Sequence, residues 1–463
     1  MTGRPPIEST DQRPLCKVPH SWHEQAAVYS RRCTPEERRA TIVTQATRNA
    51  RVVVVGAGFA GASLVRNLPF ALRRPGETLL VDREEQYPFI PLIHEVAVGR
   101  IHPDSTLSPI ASLCRGRCTF LQAEVTDVDL DSKTLRTSSG SIGYEYLVLA
   151  AGSGPARPPE EFGEYFHLFW SLEDALRIRS ALDAAWRTAT GPSRDTVPWG
   201  ALTVAIAGGG STGVELAAEL AALFQYLRKR ATGKPSETPR VVLLEATDRL
   251  MGWLDPYFHE VAIEELAELG VEVRLNSTVE DADEGGVRIG EEWLPAQTRV
   301  WTAGIETSSL IRSLPGDHDP TGRIRVDAHL SLPTHPEVYV LGDAGLYEDP
   351  RHGPLPPTAS VAVQQGPWVA RDLERRLRGA SSEERPPFDF FDRGYVVSLG
   401  PESAVAEAVG AKFRGPAAQA LYRSIFLYYL KDRRHRILTA SDWAMERTIG
   451  RLGFGKPEAS GKR

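Results

Sequence analysis

Short, wholly apolar runs alternate along the chain with longer stretches in which apolar positions recur every three or four residues. RVVVVGAGFAGASLVRNL (residues 51–68) opens with VVVV, which predicts a strand buried on both faces of a parallel sheet, and a helix beginning at the glycines. ETLLVD predicts a second strand ending at Asp82, and YEYLVLAAG (144–152) a third that ends in small residues. LTVAIAGGGSTGVELAAELAALFQYLRKR (202–230) repeats the order of strand, glycines and helix. After the polar loop ATGKPSETP come a strand ending at Glu245, a helix in PYFHEVAIEELAELG, and strands in VEVRL, RVWTAGI (299–305) and VYVLGDAG (338–345). Strands alternating with helices predict an α/β fold of parallel, doubly wound sheets. Strands like those of the first unit return after residue 330, so the second unit is read as an insertion in the first.

The chain has 463 residues, which at about 100–200 residues per domain allows two to four domains. No stretch approaches the roughly 18 consecutive apolar residues of a membrane-spanning helix. The opening MTGRPPIESTDQRP lacks the apolar core of a secretory signal. Residues 1–50 are rich in Pro, Arg, Glu and Thr without sustained periodicity, so they are expected to be a disordered extension. The four cysteines (Cys16, Cys33, Cys114 and Cys118) are too few for a disulfide framework and fit a reducing compartment. Net charge is −6, yet residues 410–463 hold twelve Lys/Arg against four Asp/Glu, so a basic tail follows an acidic body.

GAGFAG carries three glycines in the G-x-G-x-x-G spacing. Gly56 allows the tight turn, Gly58 lets a pyrophosphate approach the backbone, and Gly61 lets helix pack on strand. The helix start adds free N–H groups and partial positive charge. Asp82, 26 residues after Gly56, ends the next strand, where a carboxylate can accept from ribose hydroxyls. GGGSTG repeats the arrangement with Gly208, Gly210 and Gly213, and Glu245 is its strand-end acid. One such pattern is weak; two with both acids in place predict two Rossmann-like dinucleotide-binding domains. No metal site is read from the sequence.

Both fingerprints, the strand end LAAG and the late LGDAG resemble a flavoprotein reductase with two dinucleotide domains. More narrowly, residues 51–455 resemble the type II NADH dehydrogenases, non-proton-pumping NADH:quinone oxidoreductases. The specific stretches are VDREEQYPFIPLIHEVAVGRI (81–101), SLEDALRIRSAL (171–182), GGGSTGVELAAEL (208–220), RVWTAGI, VYVLGDAG and TASVAVQQGPWVARDL (358–373). The resemblance implies non-covalent FAD on the first fingerprint (Gly56, Gly58, Gly61, Asp82), with Gly152, Gly342, Asp343 and Ala359 beside it. It implies NADH as substrate on the second (Gly208, Gly210, Gly213, Glu245), with Ala303 and Gly304 along the nicotinamide path. Glu215 would stand by the stacked nicotinamide and flavin rings and bond the carboxamide or relay a proton; a first-turn Glu favoured by the helix dipole is the plainer reading. Ser360 and Gln364 would face the quinone, and Ser360 stands where the family usually has Gln. Cys114 and Cys118 flank Arg-Gly-Arg and are read as structural, against a dithiol active site.

The implied domains are 51–180 and 331–400 for FAD, 200–330 for NADH, and 401–463 as a C-terminal amphipathic region. In that tail Tyr422, Ile425, Phe426 and Tyr429 fall at helical spacing, followed by Arg433, Arg434 and Arg436, then Trp443, Ile449, Leu452 and Phe454. This suits a helix lying on anionic lipid at the cytoplasmic face of the cell membrane, as a peripheral protein. Packing on the protein's own core or in a homodimer is the alternative. Nucleic acid is not expected, given the acidic body. Two other functions share the fingerprints: a soluble FAD-dependent NAD(P)H oxidase or diaphorase, and a redox-sensing FAD/NADH-binding signalling protein.

Overall fold

A computed structural model describes residues 48–192, 197–231, 235–430 and 432–449 of the protein. β1 (Arg48–Val55) runs into α1 (Phe59–Asn67), and β2 (Thr78–Asp82) pairs parallel to β1. The short helix α2 (Ile93–Ala97) precedes β3 (Thr119–Gln122), which pairs with β2. β4 (Gly140–Leu149) lies on the other side of β1. Val52, Val53 and Val54 have no exposed surface, as a strand covered on both faces requires.

The chain then leaves this sheet through α3 (Leu172–Thr190), whose Ser171 and Asp174 form a reciprocal cap. The second parallel sheet is built by β5 (Thr203–Ala207), β6 (Arg240–Leu244), β7 (Val271–Arg274) and β8 (Thr298–Trp301). α4 (Ser211–Arg230) follows β5, and α5 (Pro256–Leu269) precedes β7 and stops at left-handed Gly270. β9 (His335–Val340) returns to the first sheet and pairs parallel to β4. The expected return of the chain after residue 330 is what the strand order shows. β4, β8 and β9 each stop before their glycines Gly152, Gly304 and Gly342, whose positive φ values (66°, 77° and 65°) turn the chain out of the ladder.

α6 (Ala359–Leu377) packs across α1. Then come the antiparallel β10 (Gly394–Ser398), β11 (Ala404–Ala408) and β12 (Ala411–Arg414), and two helices, α7 (Gly415–Tyr429) and α8 (Arg433–Ile449). Val397, Leu399 and Val405 join the core of the second sheet, and Lys412 and Arg414 pair with Asp255 (2.8 Å) and Glu264 (2.9 Å) at α5. The C-terminal elements are therefore built into the body.

This corrects part of the expectation for the tail. Tyr422 and Trp443 do not face outward; both are buried in a cluster with Phe89, Leu92, Val96 and Ile101. The reason is that each ring brings a polar end that finds an internal partner. The Tyr422 hydroxyl lies 3.1 Å from His94 Nε2, and Trp443 Nε1–H donates to Glu95 Oε2 at 2.6 Å. Ile425, Phe426 and Tyr429 are half-buried, whereas Tyr428, Ile437 and Met445 are exposed. The Ile449 side chain, Leu452, Phe454 and the expected extension up to residue 47 lie outside the described residues.

Candidate functional site

The two glycine turns are built on one plan. Gly56 has φ +98° and donates its N–H to Val81 O (2.9 Å), which ties the end of β1 to β2. A Cβ on Gly61 would sit 2.0 Å from Gly56 O, so only glycine lets α1 start this close to the turn. A Cβ on Gly58 would meet nothing within 4 Å, so the space above that residue is open. Asp82 braces the turn: Oδ2 accepts from Ala57 N–H (2.7 Å) and Oδ1 from Glu84 N–H (2.9 Å).

At the second turn Gly208 has φ +114° and donates to Leu244 O (2.8 Å), and a Gly213 Cβ would lie 1.9 Å from Gly208 O. Gly210 is as open as Gly58. Glu245 Oε2 accepts from Gly209 N–H (2.7 Å), while Oε1 accepts from Thr247 N–H and hydroxyl (both 2.8 Å). Neither α1 nor α4 has a side-chain cap at its start, so first-turn N–H groups remain for an anion.

Both turns open into one cleft of about 1620 Å³. Gly56, Gly58, Asp82 and Gly152 line it from the first pass through the first sheet, and Gly342, Asp343, Ala359 and Ser360 from the second. Gly210, Glu215 and Gly304 line it from the other domain's side. Gly61, Gly208, Gly213, Glu245 and Ala303 are not on its wall; they hold the turns that are. Thr302, which sequence reasoning missed, donates its hydroxyl to Gly208 O (2.9 Å) and fixes that turn from β8.

Asp343 accepts from the Ser153 hydroxyl (2.7 Å), and burial raises its pKa. Gly342 N–H is taken up by Gln365 Oε1 (2.6 Å), a buried anchor that the sequence reading passed over for its neighbour. That neighbour, Gln364, spends its amide on the chain: Nε2 donates to Ser360 O and Phe391 O (3.0 Å each), and Oε1 accepts from Phe391 N–H (3.1 Å). Gln364 is not on the cleft wall. The Ser360 hydroxyl is buried with no hydrogen-bond partner among the described residues.

Glu215 lies just past the first turn of α4, not within it as the helix-dipole reading expected, with its side chain 14% exposed. Oε1 accepts from Ser398 N–H (3.1 Å), and Oε2 lies 3.8 Å from His94 Nδ1. Burial first, then the charges of Glu95 and Glu219, push its pKa up to about 8. Its carboxyl is therefore protonated at neutral pH. Glu219, one turn on, is fully buried and pairs with Arg100, a structural role. His94 lies on the cleft wall, and burial pushes its pKa down to about 4. No sequence signal short of its place in PLIHEVA marked His94.

Cys114 is buried in the core of the first sheet, its thiol pKa raised by a hydrogen bond with Cys118 and by burial. Neither cysteine is on the cleft wall; Cys16 and Cys33 lie outside the described residues. Among the described residues no group of His, Cys, Asp and Glu is placed to hold a metal ion.

Two phosphate-cradling turns, each with a strand-end acid and a shared cleft, define a dinucleotide-dependent oxidoreductase. Residues 50–366 match the pyridine nucleotide-disulphide oxidoreductases, and the chain belongs to that family. Within it, the chain is similar to the type II NADH:quinone oxidoreductase Ndh of Mycobacterium tuberculosis, at 29% identity over 418 residues, covering 87% of this chain and 89% of the relative. The type II NADH:quinone oxidoreductase of Staphylococcus aureus is 28% identical over 393 residues, covering 81% and 94%. The solved structure of NDH2 from Plasmodium falciparum in complex with NADH shares the fold, with a TM-score of 0.77 at 18% identity over 88% of this chain and 99% of that one.

Proposed function

We infer that the chain is an FAD-dependent NADH:quinone oxidoreductase that passes a hydride from NADH to FAD and then two electrons to a quinone, without pumping protons. The observation that carries this reading is the single cleft onto which both fingerprints open. The residues fit two dinucleotides: an open space above Gly58 and Gly210, uncapped helix starts, and a carboxylate behind each turn. Bound FAD would supply the two-electron relay between donor and acceptor. Gly56, Gly58, Gly61 and Asp82 would hold its ADP half, with Gly152, Gly342, Asp343 and Ala359 along the rest. Gly208, Gly210, Gly213 and Glu245 would hold NADH, with Ala303 and Gly304 under the nicotinamide. Residues 51–180 and 331–400 would form the FAD domain and 200–330 the NADH domain.

The test is anaerobic spectroscopy of the purified protein. Its flavin absorbance should bleach with NADH and return on adding quinone. A flavin that bleaches but recovers only with oxygen or dyes would make it the oxidase or diaphorase, and one that stays reduced with every acceptor would make it a redox sensor.

Ser360 faces the acceptor in this reading, and its unpartnered hydroxyl is a donor for a quinone carbonyl or a bridging water. Ser360→Gln should change KM for quinone by about tenfold and leave bleaching by NADH unaltered; a tenfold change corresponds to roughly one hydrogen bond. Slowed bleaching would move Ser360 to the other half-reaction. Gln364, whose amide is taken up by the backbone, acts in this reading by holding the 391 segment in place.

NADH should be preferred over NADPH. The Glu245 carboxylate would repel a 2′-phosphate, and Arg249 is turned away, donating to Gly252 O (2.7 Å). We expect kcat/KM to favour NADH by about tenfold or more, since like charges brought together at a contact cost several kcal/mol. Equal values would remove Glu245 from cofactor selection.

The protein acts at a membrane as a peripheral enzyme, in this reading on the cytoplasmic face. No described helix is long and apolar enough to cross a bilayer. The exposed Tyr428, Ile437 and Met445, beside the exposed Arg433 and Arg434, would meet anionic lipid.

A further inference from the structure

Behind Glu215 lies a group of buried polar side chains that the two fingerprints do not use. His94, on α2, touches two elements distant in sequence: its Nδ1 lies 3.8 Å from Glu215 Oε2 on α4, and its Nε2 3.1 Å from the Tyr422 hydroxyl on α7. His94 is 2% exposed and Tyr422 fully buried. The Tyr422 hydroxyl has no other hydrogen-bond partner among the described residues, so its proton must go to Nε2. Burial raises the Tyr422 pKa well above its usual value, and that proton stays on the phenol. An imidazole that accepts at Nε2 carries its hydrogen on Nδ1, and that hydrogen faces Glu215.

Burial keeps the ring neutral and outweighs the charges around it. Glu219 faces His94 and favours its protonation, Arg100 opposes it, and Arg100 is itself paired with Glu219 and lies 3.8 Å from Glu95. Glu95 and Glu219 face Glu215 from α2 and α4. Tyr395 on β10 lies on the cleft wall, its pKa pushed up to about 12 by burial, and α3, packed against α2, contributes the buried Arg179. The neutral His94 ring thus cannot form an ion pair with Glu215, but can offer it an N–H.

We propose that His94, fixed by the Tyr422 hydroxyl, is a positioning residue that uses its Nδ1–H to support the Glu215 carboxylate left when that side chain gives up its proton. The proposal rests on the quinone-reductase reading. Oxidising NADH with a quinone yields NAD⁺ and quinol and takes up one proton from solvent, beyond the hydrogen that NADH carries. Glu215 holds such a proton at neutral pH in the cleft wall. When it leaves, Oε1 keeps Ser398 N–H and Oε2 gains His94 Nδ1–H, and water in the cleft returns a proton to Glu215. A donor to the charged form lowers the cost of release. Removing it makes Glu215 hold its proton to higher pH and release it more slowly.

The test uses the holoenzyme and three variants, His94→Phe, His94→Asn and Tyr422→Phe, with flavin content, bleaching by NADH and quinone turnover read from pH 6 to 10. The parent's turnover should fall as pH rises through about 8, the value at which Glu215 loses its proton. His94→Phe should keep its flavin, lose about tenfold in turnover at pH 7, and move the alkaline limb up by about one unit. His94→Asn puts an N–H near the place of Nδ1 and should restore most of the turnover. Tyr422→Phe leaves the ring without its anchor and should shift the limb in the same direction. A limb that stays put in His94→Phe, or His94→Asn as impaired as His94→Phe, overturns the proposal. If His94→Phe holds no flavin, an unmoved limb in Tyr422→Phe overturns it instead. A parent that bleaches with NADH but reduces no quinone overturns the quinone reading, and the proposal with it.

Discussion

Glu215→Gln should lower quinone turnover by about 10²–10⁴-fold at pH 7, the range that a positioned acid typically contributes. Flavin content should not change. Glutamine has nearly the size of glutamic acid, and its carbonyl can still accept from Ser398 N–H, so packing at the start of α4 is kept. What the variant loses is a transferable proton. The sign of the pH dependence follows from the raised pKa. Below about 8 the parent's carboxyl is protonated and can donate; above it the carboxylate cannot, and turnover falls. The variant should be slow throughout and lack that limb. A drop of only two- or threefold would leave Glu215 as a hydrogen-bonding contact for the nicotinamide carboxamide, because glutamine makes that bond as well.

Ending the chain before Gly415 should give insoluble or flavin-free protein. The truncation removes Tyr422, Leu430 and Trp443 from a buried cluster and uncovers Phe89, Leu92, Val96 and Ile101. It also strips His94 and Glu95 of the Tyr422 and Trp443 partners. Losing a single buried aromatic side chain costs about 3–5 kcal/mol, against a total stability of about 5–15 kcal/mol for a domain. Membrane binding must therefore be tested on the surface. Tyr428, Ile437 and Met445 are 69%, 62% and 41% exposed, and changing all three to serine leaves the cluster intact. The triple variant should keep its flavin and its NADH-driven bleaching yet fail to sediment with anionic vesicles. The parent should sediment and be loosened only partly by high salt, because salt screens the Arg contribution and not the apolar one. A parent that stays in solution, or a triple variant that still sediments, would remove this face from membrane binding. Soluble, flavin-loaded truncated protein would show that the tail helices are dispensable for the fold.

Much of the nucleotide-binding framework was legible in the sequence because it is written in local rules. A run such as VVVV has one stable place, inside a parallel sheet, and the glycines of GAGFAG and GGGSTG answer a local need, a helix packed within van der Waals contact of the turn that begins it. Asp82 and Glu245 were legible as the acids ending the next strand, and the structure adds that each braces the glycine turn beside it. The surroundings of Glu215 were not legible. His94, Tyr422 and Ser398 reach it from elements 121, 207 and 183 positions away, and nothing in local propensity couples such positions. The tail shows the same limit more sharply. Its spacing of aromatic and basic residues is what a helix on lipid or a helix on its own core would equally carry, because both solvents are apolar. Tertiary structure decided between them residue by residue: Tyr422 and Trp443 turn inward, where His94 and Glu95 satisfy their polar ends, and Tyr428 and Ile437 remain exposed.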